Sequence, residues 1–183
     1  MSLSEFRRAI EEGPIPVEER AFMINGWRWH TASVIRDLTR FSKLVQVARE
    51  NVTKTAFSSD SAEARESFAR IQGSYEFVCN FNWKALIRVE SDIFFPWLTT
   101  LLPSTANALI VDISSQHANI QELSGQISAI CQRLVRKDGE VMAAPVALRE
   151  INEIDSKLQT MMECARRIQV VQVRHTKHTR EHL

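Results

Sequence analysis

The chain has 183 residues, room for one domain or two small ones, and it can bury a core without disulfides or metal ions. With 23 Lys+Arg against 22 Asp+Glu its formal net charge is +1, so no global field draws it to nucleic acid or to an anionic membrane. Only 5 Gly and 5 Pro argue against glycine-rich phosphate loops, collagen-like repeats and turn-dense sandwiches.

The segment 1–16 reads as a short N-terminal helical arm and linker, ended by Gly13-Pro-Ile-Pro16. Its polar start lacks the apolar core of a secretory signal. A long helical pattern covers about 17 to 50, and Asn51 to Asp60, rich in Ser and Thr, reads as a connection. Ser61 is placed to cap a second long helix that runs to about Leu102, with interruptions expected near Gly73 or Pro96. Pro103-Ser-Thr is a corner, and Ser104 or Thr105 caps a third helix that ends near Lys137-Asp-Gly139. A fourth helix begins around Pro145 and runs to the end. Nothing reads as a strand pair. The longest apolar stretches, such as Ala108-Leu-Ile-Val111, are too short to span a bilayer. Cys79, Cys131 and Cys164 are odd in number and far apart, which argues against a disulfide framework and predicts a cytoplasmic or otherwise intracellular protein.

Each long segment carries one apolar stripe at spacings of three and four. In the first it is Met23, Trp27, His30, Val34, Leu38, Phe41 and Val45, and in the second Tyr75, Cys79, Asn82, Leu86, Glu90, Ile93 and Trp97. In the third it runs from Ile110 through Ile113, His117, Ile120, Ser124, Ile127 and Cys131 to Leu134. In the fourth it runs from Ile151 through Ile154, Leu158, Met161, Ala165, Ile168 and Gln172 to His175 and beyond. Four amphipathic helices with short connections predict an all-α, up-down-up-down four-helix bundle over 17–183. Trp27 reads as core, Trp29 as packing under the N-terminal arm, and the cysteines as small core residues rather than nucleophiles.

Four ionisable residues interrupt the stripes: His30, Glu90, His117 and His175. A buried carboxylate is costly unless it is paired or ligated. At about 1.5 Å of rise per residue, His30 lies about 20 Å above Val17 and Glu90 about 16 Å before Leu101. On the same scale His117 lies about 20 Å beyond Ser104 and His175 about 12 Å before the last residue. If the fourth helix stops a few residues short, the four share one layer. Three imidazoles and a carboxylate converging between four helices suit a metal ion. His175, His178 and His182 also share a face with Glu181 nearby, a weaker site that reads better as a polar terminal turn favoured by the helix dipole.

The order of these residues resembles the hemerythrin-like, or HHE cation-binding, family: His30 on the first helix, Glu90-Ser-Asp-Ile-Phe-Phe-Pro-Trp-Leu98 on the second, His117 within Ser-Gln-His-Ala-Asn-Ile on the third, and His175 ahead of Glu181-His-Leu183 on the fourth. The resemblance covers about 17–183. It implies a four-helix bundle that holds one or two irons and serves in oxygen binding, in sensing or in stress response. The ligand set is degenerate. Leu86 stands where the family has a histidine four residues before the glutamate, and Ile87 where a carboxylate often follows. Thr179 and Arg180 stand where a carboxylate follows the last histidine. The fourth helix is expected to be truncated, since the family's Leu-Phe-Pro would come after His182.

The first expectation is therefore a metal-binding or sensing module with a reduced site of His30, Glu90, His117 and His175, taking iron or another divalent metal and, through it, dioxygen. The second is a metal-free helical bundle that has lost the site and acts as an interaction protein with no cofactor. The third is a non-heme iron enzyme; no Ser-His-Asp set, cysteine–histidine dyad or glycine-rich loop supports another chemistry.

Overall fold

The computed structural model describes the backbone of residues 17–54, 61–101, 103–135 and 142–181, and the side chains of 25–54, 61–100, 106–135 and 142–172. Among these residues nearly all are helical and none forms a strand. The first helix, α1, is Val17–Thr53. The second, α2, is a rod over 62–101, and α3 is Pro103–Leu134. The fourth, α4, is Ala144–Glu181. α1 packs against α4 and α2, and α3 packs against the same two helices. No helix among the described residues is long and apolar enough to cross a membrane.

The stripes become the core. Leu38, Phe41, Ile71, Leu86, Ile113, Ile120, Ile127, Ile151, Ile154 and Leu158 are among the largest fully buried side chains. Each stripe recurs at the helical period, so one face of each helix loses its water on packing. Ser61 caps α2, its hydroxyl accepting from the Ala64 amide at 3.1 Å. α1 runs three residues further than its pattern predicts. Trp29 is exposed, at 69%, and does not take the packed position expected of it. The N-terminal arm lies outside the described residues.

The second helix departs most from a simple reading. It passes through Gly73 without a break but widens twice, into π-helix at Glu76–Trp83 and again at Glu90–Phe94. The second widening has a covalent cause. Pro96 has no N–H to donate to the carbonyl one turn back, and its ring crowds that carbonyl. The chain opens the turn instead, and the Phe95 amide bonds to the Glu90 carbonyl, five residues back. The wide turn brings the consecutive residues Ile93, Phe94 and Phe95 all into the buried face.

Polar pairs lock the apolar faces together. Thr31 accepts from Gln172 Nε2 at 2.7 Å, and Asp37 from Asn82 Nδ2 at 2.9 Å. Ser42 donates to Asp155 at 3.1 Å and accepts from Gln159 at 3.2 Å. On the other side Arg133 forks onto Glu150 at 3.0 and 2.6 Å, and Lys157 reaches Gln126 at 2.7 Å.

The three cysteines are free and buried. Burial pushes the thiols of Cys79 and Cys131 up to about 12 and raises that of Cys164. A thiol whose folded pKa lies above its unfolded value of 9.0 favours the fold below pH 9, and that contribution is lost as pH rises toward 12. An aromatic disulfide reagent at pH 8 should therefore leave Cys79 and Cys131 unmodified in the native protein and modify all three on unfolding in guanidinium. Modification of Cys79 and Cys131 at the same rate with and without denaturant would contradict this core.

Candidate functional site

The sequence marks four residues for one layer, and the structure joins two of them directly. Glu90 opens the wide turn of α2 and is fully buried, and His117 on α3 is buried at 5% exposure. His117 Nε2 lies 2.8 Å from Glu90 Oε2. The two atoms approach closely without the alignment of a hydrogen bond, and neither has a hydrogen-bond partner. The other carboxylate oxygen, Oε1, accepts from the indole N–H of Trp27 on α1 at 2.5 Å. One carboxylate thus ties α1, α2 and α3 together.

Aromatic rings enclose the pair. The Trp83 ring meets the His117 imidazole edge-on, with centroids 5.5 Å apart and planes at 87°. Phe95 lies nearly parallel to the same imidazole at 6.4 Å. Phe94 packs on Trp27 at 4.1 Å and on Trp97 at 5.3 Å. Such a shell excludes water and lowers the local dielectric, which strengthens every polar contact inside it and raises the cost of any polar atom left unmatched.

His30, one turn after Trp27 on α1, is half-buried. Burial lowers its pKa from the ordinary 6.5, and the negative charge of Glu90 opposes that shift. The imidazole is therefore within electrostatic reach of the carboxylate. His175 belongs to α4, but its side chain lies outside the described residues, as does that of Thr179. Among the described residues no three His, Cys, Asp or Glu side chains are grouped so as to hold a metal ion. Leu86, four residues before Glu90, is fully buried. No protein-family model, curated protein or solved structure matches the chain.

Two features of the site escape a reading of the stripes. Trp27 reads as core, yet it is the donor to Glu90; the available signal is that a buried indole N–H needs an acceptor and Glu90 is the ionisable acceptor in the neighbouring stripe. Gln172, fully buried in the α4 stripe one turn before His175, donates to Thr31, and its Oε1 has no partner. A glutamine at an inward position signals a polar layer, but periodicity cannot name its partner.

Removing one member of a buried polar pair leaves the other unmatched. In protein stripped of metal by a chelator, His117→Leu should cost about 1–3 kcal/mol in urea unfolding. Adding Glu90→Gln should recover part of that loss, because the amide oxygen still accepts from Trp27 and a buried amide is less costly to leave unmatched than a carboxylate. A double variant no more stable than His117→Leu alone would show that the stranded carboxyl group is not the source of the loss.

Proposed function

We propose that this protein is a hemerythrin-like, up-down-up-down four-helix bundle that binds a divalent metal, iron being the first candidate, through His30, Glu90, His117 and His175. The order of the polar pairs supports the topology. From Thr31 to Ser42 on α1, the partners on α4 fall from Gln172 to Asp155. From Trp27 to Asp37 on the same helix, those on α2 fall from Glu90 to Asn82. Between α2 and α3, Glu90 meets His117 while Cys79 lies beside Ser124. Between α3 and α4, Gln126 meets Lys157 and Arg133 meets Glu150.

The observation that supports the metal reading is a pair of buried donor atoms, Glu90 Oε2 and His117 Nε2, which stand 2.8 Å apart and make no hydrogen bond. Two such atoms bonded to one ion at about 2.1 Å in a six-coordinate site stand about 3 Å apart, with their lone pairs turned to the ion and not to each other. A carboxylate and an imidazole are also a donor set that iron and zinc accept. His30 and His175 would complete the set. When bound, the ion supplies a Lewis-acidic position open to a small ligand such as dioxygen, and the chain's own residues hold it in an apolar, water-excluding shell.

A second reading is favoured by Leu86, which fills the position of a further ligand with a fully buried aliphatic side chain. On that reading the bundle binds no metal and serves as an interaction protein. One experiment separates the two. The protein is purified on a histidine-free tag and loaded anaerobically with iron(II) or with zinc. After desalting, the metal reading expects close to stoichiometric metal by mass spectrometry, falling about tenfold or more in His117→Leu and in Glu90→Ala. Folded wild-type protein that retains neither metal overturns the proposal and leaves the metal-free bundle.

A further inference from the structure

Between α1 and α2 runs a groove that takes no part in the Glu90–His117 pair. It encloses about 410 Å³, a size usual for small-molecule sites, and neither Glu90 nor His117 lines it. Its floor is apolar: Phe41 and Val78 are buried and Leu44 is half-buried. Gly73 lines the same space from the interior of α2, and a β-carbon added to it would meet no atom within 4 Å. Glycine weakens a helix interior, and here neither a close contact nor a positive φ calls for one. What its missing side chain leaves is room in the groove. The wall beyond is Phe77, 53% exposed and stacked at 6.1 Å on Phe81, which is 66% exposed. Both rings belong to the first widened stretch of α2, and π turns recur at functional sites.

The charges at the rim decide what suits this floor. Arg40 on α1 and Arg70 on α2 line the groove, against one carboxylate, Asp37. Asp37 has both oxygens engaged: Oδ2 accepts from Asn82 at 2.9 Å, and Oδ1 lies 3.4 Å from Arg40 and 3.8 Å from Arg36. A cationic ligand therefore meets no open acceptor there. The arginines are differently placed. Both are largely exposed, and Arg70 bonds to Glu66 at 2.6 Å in a surface pair one turn apart. Exposed pairs of this kind are weak, so a guanidinium exchanges its partner at little cost. These contacts take one of the five N–H donors of each guanidinium, and that donor fork matches a carboxylate.

We propose that the α1–α2 groove binds a small amphiphilic carboxylate, its apolar body against Phe41, Leu44 and Phe77 and its carboxylate at the rim with Arg40 and Arg70. The site stands apart from the metal reading, and neither depends on the other.

Decanoate is the probe, with decanol and decylammonium as its uncharged and cationic twins, all kept below micelle formation. Calorimetric titration of the full chain should give one decanoate bound, more tightly than either twin. The amide signals of Gly73 and Phe77 should move on the same titration in nuclear magnetic resonance spectra. Gly73→Leu puts a good helix former in open space, so the variant stays folded, and its side chain fills the groove; decanoate binding should be lost. Arg40→Gln with Arg70→Gln should weaken decanoate about tenfold and leave decanol nearly unchanged. No saturable decanoate binding by folded wild type would overturn the proposal, as would undiminished binding in folded Gly73→Leu. Equal affinity for decanoate and decylammonium would reduce the groove to an unselective apolar patch and overturn it too. A chain that dimerises through this face, returning to monomer in Phe77→Ser, would assign the groove to a second copy instead.

Discussion

A carboxylate with no contact with water, Glu90, sets the terms for the rest of the interior. Ionised, it needs counter-charge or hydrogen bonds at both oxygens, since burial removes the solvation that would otherwise stabilise it. The chain answers from two other helices: the indole N–H of Trp27 on α1 and the imidazole of His117 on α3. The aromatic side chains around them are the physical reason that the arrangement is strict. In a dry, weakly polarisable shell a misplaced donor is not rescued by water, so the three helices are held to one relative placement.

The second helix shows how a local covalent feature reaches that centre. Pro96 removes one amide donor, the turn before it opens, and Glu90 becomes the first residue of the opened turn. The same opening places Phe94 against Trp27 and Phe95 against His117. Pro96 itself is exposed to solvent, yet without the wide turn the residues from Glu90 to Phe95 would sit at a different angular phase. The other widened stretch, Glu76–Trp83, has no proline after it, and nothing in the structure explains it.

Away from the centre, the polar pairs of α1 act as register marks. Aliphatic faces made of Ile, Leu and Val tolerate sliding by a helical turn with modest loss of buried area. Thr31–Gln172, Asp37–Asn82 and Ser42 with Asp155 and Gln159 do not, because a slip would orphan several buried or half-buried polar groups at once. These contacts hold α1 to α4 and α2 at the height where Trp27 meets Glu90.

The helices were legible because their signal is local. A spacing of three and four among apolar residues, a capping serine at 61 and a corner at Pro103 specify four helices with ends near those observed, and the stripes name most of the core, from Leu38 to Ile168. The inward placement of Glu90 and His117 was legible for the same reason. What periodicity could not supply was pairing, since it states which face a residue occupies and not which atom on another helix meets it. Thus Trp27 read as packing and proved to be the donor to Glu90, Trp29 proved exposed, and of the two widened turns of α2 only the second was hinted at, by Pro96. The sequence by itself determined the helical class, the buried faces and a charged residue set among them. Only the tertiary structure decided that Glu90 divides its two oxygens between an indole and an imidazole, because that division depends on three chain segments meeting at hydrogen-bond distance, and no single segment encodes it.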